Sequence, residues 1–159
     1  MGIPLAGHRD EGGFDWSLLA GGLRERSDLA RVARVFGSTP LPLATLQRYV
    51  RFDRGAYARQ RIVRTDAWEL LLLCWLPGQA SAVHDHDGST GLVRIVAGSL
   101  EESVFGALDG RLPAHTRTVH AGDLLVELPD TIHRVVNAGT RPALSLHLYS
   151  PPLPAREAS

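Results

Sequence analysis

Residues 78–98 read GQASAVHDHDGSTGLVRIVAG, and this stretch decides the fold. It contains two histidines, His84 and His86, separated by one residue. In a β-strand, side chains two residues apart point to the same face, so an extended conformation would place both imidazoles on one side. Two imidazoles on one side can bind the same metal ion. Glycines stand around the histidine pair at Gly78, Gly91 and Gly98. The stretch therefore predicts a metal site on a strand.

The composition of the 159-residue chain excludes several classes of protein. Its 17 basic and 17 acidic residues balance, so no net field attracts nucleic acid or an anionic membrane. No run reaches the roughly 18 apolar residues of a membrane span, and the N-terminus lacks a signal-peptide pattern. The single cysteine, Cys74, excludes an internal disulfide and suits a reducing compartment. We expect one cytoplasmic, monomeric domain without nucleic-acid or membrane partners.

The pattern of apolar residues changes along the chain. Four residues that would share one helix face are Leu29, Val32, Ala33 and Phe36. A second short helix is expected over residues 43–50. From about residue 57, short apolar runs alternate with turn residues every roughly 8–12 positions, which is typical of a β-sandwich or small barrel. We predict a mainly β single domain, with residues 1–52 as a helical cap and residues 53–159 as an antiparallel barrel.

Residues 78–98 resemble the first sequence motif of the cupins, whose barrels are double-stranded β-helices, or jelly rolls. The glycines and the histidine pair match, but Gly91 replaces the glutamate of the motif. The second cupin motif follows at Gly122, Pro129, His133 and Asn137. It departs from the pattern by one additional residue before the proline and by Thr131 where a glycine is expected. The resemblance implies a cupin barrel in which His133 joins the histidine pair.

A glycine at position 91 changes the charge expected at the metal. Three neutral imidazoles leave a divalent ion at about +2, whereas a glutamate ligand would halve that charge. Such a site favours an anionic, multidentate ligand, and a thiolate fits because metal binding deprotonates a thiol. Imidazole binds zinc, copper, iron and nickel alike, so the ligands alone do not identify the metal.

A row of polar side chains is predicted where residues 143–152 read ALSLHLYSPP. In a strand, Ser145, His147 and Tyr149 would lie on one face and the intervening leucines on the other. We expect the leucines to pack against the other sheet or the helical cap. Polar residues inside a barrel are costly to bury unless each is hydrogen-bonded. The row therefore indicates a functional site rather than a network that only fixes the strand.

These motifs together resemble the thiol dioxygenases of the cysteine dioxygenase family. The resemblance covers residues 41–153 and rests on SLHLYSPP, on HDH and on the YAR of residues 57–59. It implies an Fe(II) enzyme that adds both atoms of O2 to the thiolate of L-cysteine and produces cysteine sulfinic acid. The cofactor would be Fe(II), and the partners would be a small thiol and O2, in cysteine catabolism.

The resemblance also implies roles for individual residues. The metal ligands would be His84, His86 and His133. The catalytic row would be Tyr149, with His147 and Ser145 behind it. Arg59, with Tyr57 beside it, would bind the substrate carboxylate in a site largely closed to water. The peptide bond between Ser150 and Pro151 would be cis.

Two other functions stay open. The 3-mercaptopropionate dioxygenases resemble the chain at the histidines and the polar row but carry glutamine at the position of Arg59. Arg59 thus favours an amino-acid thiol, although Arg61 lies on the same strand face and leaves the assignment ambiguous. The second alternative is a non-catalytic metal-binding sensor, and the intact polar row argues against it.

The remaining histidines and the cysteine are expected to have no part in the site. We interpret His8, His115 and His120 as surface residues. Cys74 lies in the run LLLLCW, where a cysteine is usually a small buried hydrophobe. Animal relatives carry a cysteine at the position of Gly91 that crosslinks to the tyrosine, so Gly91 resembles the bacterial form of the family.

Overall fold

The computed structural model describes residues 9–10, 13–20 and 29–154. Helices in these ranges are α1 (Ser17–Ala20), α2 (Leu29–Ser38) and α3 (Leu43–Gln47). The strands are β1 (Ala58–Arg64), β2 (Glu69–Trp75), β3 (Thr90–Ala97), β4 (Ser99–Phe105), β5 (His115–His120), β6 (Leu124–Glu127), β7 (Ile132–Val136) and β8 (Ala143–Ser150). The predicted mainly β fold with short N-terminal helices is confirmed. Among the residues described, no helix has the length and hydropathy to cross a membrane.

The strands form two antiparallel sheets. The larger sheet has five strands in the order β1-β2-β8-β3-β6, and the smaller has three in the order β5-β4-β7. Apolar side chains of both sheets form one buried cluster, which includes Leu71 and Ile95 of the larger sheet and Leu100 and Val135 of the smaller. The two sheets therefore close around a common interior, as expected for a cupin barrel.

Strand β8 separates this interior from a second apolar core. Its Leu146 and Leu148 are fully buried in a cluster that also contains Val32 and Phe36 of α2. The leucines of β8 therefore face the helices, which is one of the two predicted arrangements. Because the larger sheet has apolar cores on both sides, every residue of β2 is buried.

Several smaller predictions can be compared with the structure. The shared face of α2 is confirmed, but the second helix ends at Gln47 instead of residue 50. Cys74 is fully buried, and burial raises the pKa of its thiol. His115 and His120 are exposed as expected, whereas His8 lies outside the described residues. The division into a cap of residues 1–52 and a barrel of residues 53–159 stays a prediction.

Replacing Phe36 by alanine should test whether α2 is an integral part of the fold. The Phe36 ring is fully buried against the larger sheet, so the variant should lose about 3–5 kcal/mol of unfolding free energy. Chemical denaturation would measure the loss. Leu43→Ala is the control, because Leu43 is 70% exposed and its loss should change stability by less than about 0.5 kcal/mol. Equal losses in both variants would contradict this assignment.

Candidate metal centre and substrate pocket

Three imidazoles converge on one pocket, although not in the way that the sequence predicted. His84 forms an isolated bridge with His133 of β7, through mutual backbone hydrogen bonds of 3.0 and 2.9 Å. Residues 85–89 belong to no strand, so the expectation that the histidine pair lies on a strand is wrong. The pair nevertheless converges, because the ring centroids of His84 and His86 lie 5.3 Å apart.

The nitrogen atoms of these rings suit a single metal ion. One ring nitrogen from each of His84, His86 and His133 lies within 4.8 Å of the others. The Nε2 atoms of His86 and His133 are 3.2 Å apart. Two nitrogens bound at about 2.1 Å to one metal would be separated by about 3.0–3.4 Å. His84 Nδ1 donates to the carbonyl of Ala82 at 2.8 Å, which makes Nε2 the nitrogen that this ring can offer to a metal.

Behind His133 lies a buried group of charges that sequence reasoning missed. His133 Nδ1 contacts Glu102 Oε1 at 2.9 Å and Glu127 Oε1 at 3.4 Å. Glu102 also accepts hydrogen bonds from the Arg117 guanidinium, with Oε2 2.7 Å from Nη2. Both carboxylates are almost completely buried. A histidine that donates Nδ1–H to a carboxylate keeps Nε2 available to a metal, so this contact orients His133.

The pKa values of this group follow from its contacts. Burial raises the pKa of Glu102, but hydrogen bonds from His133, Glu127 and Arg117 outweigh it and hold the pKa well below the ordinary value. Burial alone would lower the pKa of His133, but its hydrogen bond to Glu102 and the nearby carboxylate of Glu127 raise it to about 9. The pKa of Glu127 is raised, mainly by burial. Glu102 is therefore the ionised carboxylate that contacts His133 Nδ1.

A carboxylate is not well placed to join the three histidines. Glu102 and Glu127 do approach His133 closely enough to form a second candidate ligand group, but they approach its Nδ1. The Nε2 atom on the far side of the ring faces His86. At Gly91, a Cβ atom would lie 2.9 Å from Cε1 of Tyr149. With the tyrosine ring in this place, a glutamate side chain at position 91 has no room.

The predicted polar row on β8 is connected in order. Trp75 Nε1 lies 2.9 Å from Ser145 Oγ, Ser145 Oγ lies 2.7 Å from His147 Nε2, and His147 Nδ1 lies 3.0 Å from the Tyr149 hydroxyl. An indole N–H can only donate. If Ser145 donates to His147 Nε2 and His147 Nδ1 donates to Tyr149, each of the three contacts in the row has one donor and one acceptor. This order directs the hydroxyl hydrogen of Tyr149 away from His147 and toward the pocket.

His147 is held in its neutral form. His147 is only 5% exposed, and this burial is the main reason that its pKa lies well below the ordinary value. The nearby charges of His86, His133, Arg59 and His84 lower the pKa further. A neutral imidazole has one donor and one acceptor nitrogen, which matches its two partners in the row.

The three arginines of β1 have different surroundings. Arg61 Nε and Arg64 Nη1 donate to the buried Glu69 at 3.1 and 3.0 Å. Arg59 instead lines the pocket, as does Tyr57, whose ring stacks on Trp75 with centroids 4.3 Å apart. The exposed position of Arg59 contradicts the expectation of a site largely closed to water. Arg59 is thus an exposed residue that lines the pocket from β1, the edge strand of the larger sheet.

One pocket of about 430 Å³, part of it open solvent, contains these groups. All of the predicted site residues line it except Ser145, which lies behind His147. The lining residues that sequence reasoning missed are Leu73, Trp75, Ser81, Val135 and Leu153. The alternation of β2 could have identified Leu73 and Trp75, because they pair with Ser145 and Ala143 of β8.

Comparisons with known proteins agree on a family. The family model described as cysteine dioxygenase type I matches residues 22–158. Cysteine dioxygenase type 1 of Rattus norvegicus is 32% identical over 143 residues, which cover 85% of this chain and 70% of that protein. The Homo sapiens protein of the same name is 31% identical over 142 residues, with the same coverage of 85% and 70%.

Solved structures support the same architecture. TT1209 from Thermus thermophilus is 25% identical, with a TM-score of 0.58 over 67% of this chain and 94% of that chain. A Klebsiella pneumoniae protein with a double-stranded β-helix domain is 21% identical, with a TM-score of 0.59 over 72% of this chain and 90% of that chain. At this identity, the second likeness concerns the fold alone.

The neutral state of His147 should make the protein less stable in mild acid. In the unfolded chain, His147 binds a proton as the pH falls below about 6.5, whereas the folded, depressed pKa prevents this. The unfolding free energy should therefore fall by up to about 1.4 kcal/mol for each pH unit below about 6.5. His147→Gln should show a shallower slope by that amount. Urea denaturation with a chelator at pH 7 and pH 5 would measure both proteins, and parallel slopes would refute the assignment.

Proposed function

Because the chain belongs to the cysteine dioxygenase type I family and is a dioxygenase, we propose that it oxidises L-cysteine with O2 to cysteine sulfinic acid. We propose that the reaction takes place at one non-haem Fe(II) held by His84, His86 and His133. The observation that carries this proposal is the 3.2 Å approach of two Nε2 atoms in a pocket where, among the residues that the structure describes, no carboxylate lines the same side.

The ligand set favours a thiol as the substrate. A bound metal would displace the proton that the raised pKa of His133 otherwise retains. Three neutral imidazoles then leave the metal with its full positive charge, which stabilises the thiolate form of a bound thiol. Bound Fe(II) would supply the redox chemistry that brings O2 and sulfur to react. The sulfur itself provides the electrons that O2 accepts when the thiolate is oxidised to the sulfinic acid. The reaction therefore needs no external reductant.

Arg59 would select a thiol that carries a carboxylate. Its guanidinium lines the pocket, while Arg61 and Arg64 are bound to Glu69. A planar guanidinium can bind a carboxylate through two parallel hydrogen bonds. This arrangement supports Arg59 over Arg61 as the carboxylate ligand, and it favours cysteine over thiols without a carboxylate. Tyr57, stacked on Trp75, would limit the movement of the substrate beside Arg59.

Tyr149 would donate a hydrogen bond to the substrate or to O2. Its ring lies beside the candidate metal ligands, with its centroid 5.3 Å from that of His86. His147 Nδ1–H would donate to one lone pair of this hydroxyl, and Ser145 would hold His147 in the required tautomer, so that the hydroxyl hydrogen points into the pocket. A role in cysteine catabolism, a cytoplasmic location and a monomeric state stay predictions from the sequence.

Oxygen consumption tests the proposed function directly. Iron-loaded protein supplied with L-cysteine should consume O2 and form the sulfinic acid in equal amounts. His133→Ala should lose bound iron and activity together, whereas the exposed His120→Ala should retain both. Iron content by atomic absorption, O2 uptake and product mass spectrometry would measure these outcomes. A protein that binds iron through His133 without consuming O2 with any small thiol would be a sensor, and the proposal would fail.

Selectivity tests the role of Arg59. Arg59→Ala should raise the KM for cysteine about tenfold at normal iron content, because it removes a charged hydrogen bond that solvent partly screens. Arg59→Gln should narrow the difference in kcat/KM between cysteine and 3-mercaptopropionate. Arg61→Ala is the matched control, since Arg61 is bound to Glu69. If the control loses cysteine affinity and Arg59→Ala does not, the role belongs to Arg61.

A further inference from the structure

One wall of the pocket comes from outside the sheets. Leu153 lies beyond the end of β8, in the segment Pro151–Pro154, which belongs to no helix or strand. Its side chain is 7% exposed, lines the pocket and packs into the apolar interior of the barrel. The position of the Leu153 side chain in the pocket therefore depends on the contacts that hold residues 151–154.

Two charged side chains hold the backbone of Leu153 from both sides. Its amide donates to Glu69 Oε2 at 3.2 Å, and its carbonyl accepts from Arg64 Nη1 at 3.0 Å. Arg64 Nη1 also donates to Glu69 Oε2 at 3.0 Å, and Glu69 is only 3% exposed. We call these two residues the Glu69–Arg64 clamp. A buried carboxylate with these partners is costly to displace, so the clamp fixes Leu153 firmly.

The sequence around Leu153 makes this contact specific. Proline has no backbone N–H, and residues 151, 152 and 154 are prolines. Leu153 thus carries the one amide hydrogen in the segment, and that hydrogen is bound to Glu69. Two further hydrogen bonds of 2.8 Å hold the start of the segment, from Ser89 to the carbonyl of Pro151 and from Ser150 to the carbonyl of Ala67. These hydrogen bonds hold residues 151–154 against the barrel, so the segment forms a wall of the pocket.

We propose that Leu153, held by the Glu69–Arg64 clamp, restricts the pocket to thiols of about the length of cysteine. This inference rests on the proposed function, in which the histidines fix the sulfur end of the substrate and Arg59 fixes its carboxylate. A longer thiol held at both ends has to bulge toward the pocket walls. A close-packed wall does not yield easily, and one additional methylene typically costs a factor of about 10–200 in kcat/KM.

Enlarging the pocket tests the proposal. In Leu153→Ala, the ratio of kcat/KM for homocysteine to that for cysteine should rise at least about tenfold. Leu125→Ala is the matched control, because Leu125 is similarly buried in the same cluster but does not line the pocket. That variant should lose stability and keep the wild-type ratio. Leu153→Val removes less volume and should shift the ratio in the same direction if the alanine variant does not fold.

Loosening the clamp provides a second test, with a readout that does not depend on activity. Arg64→Met should accelerate hydrogen exchange of the Leu153 amide, measured by NMR, and should raise the same substrate ratio. Arg61→Met is the control, because Arg61 also binds Glu69 but makes no hydrogen bond to Leu153 in the part of the chain described. Both the exchange rate and the ratio should stay at wild-type values in this control.

The outcomes separate this inference from the proposed function. If the wild type oxidises cysteine and Leu153→Ala leaves the substrate ratio unchanged, the inference is overturned and the proposed function stands. If no thiol is oxidised by the iron-loaded wild type, the proposed function fails, and the size restriction fails with it. Unchanged exchange of the Leu153 amide in Arg64→Met would overturn the role of the clamp.

Discussion

The two-residue alternation of β8 is the constraint on which both the fold and the site depend. This strand lies between β2 and β3, so neither of its edges is free. Its leucines bind the helices to the sheet, while Ser145, His147 and Tyr149 face the barrel interior. A shift of register by one residue would exchange the two faces and destroy the helix core and the polar row together. The alternation of β8 therefore determines both the packing of the helices and the polar row of the site.

Two sets of interior polar groups tolerate burial because each forms a hydrogen-bonded chain that ends at a defined partner. One chain of hydrogen bonds runs from His133 through Glu102 and ends at Arg117, whose side chain is 49% exposed. The line from Tyr149 through His147 and Ser145 ends at the indole of Trp75. Such chains fix orientation as well as charge, since each member has only one arrangement that satisfies its neighbours. The polar side chains of these two chains are therefore oriented before any substrate enters.

Local patterns predicted the features that depend on neighbours in sequence. Periodicity identified the helix face of α2 and the two faces of β8, and motif spacing identified the three histidines. Contacts between distant strands could not be predicted in this way. Glu102 and Arg117 meet because β4 and β5 pair, and alternation alone could not separate Arg59 from Arg61 without Glu69 of the next strand. The clamp on Leu153 joins residues 84 and 89 positions apart.

The complete burial of β2 has a consequence for the newly synthesised chain. A strand covered on both sides has no polar face, so ELLLLCW is apolar at almost every position. Short segments with this composition and little charge are prone to intermolecular β-aggregation while they are exposed. Glu69 before the leucines and Pro77 with Gly78 after the run act as gatekeepers against such pairing. Until β1 and β8 flank it, this strand is therefore exposed to such pairing.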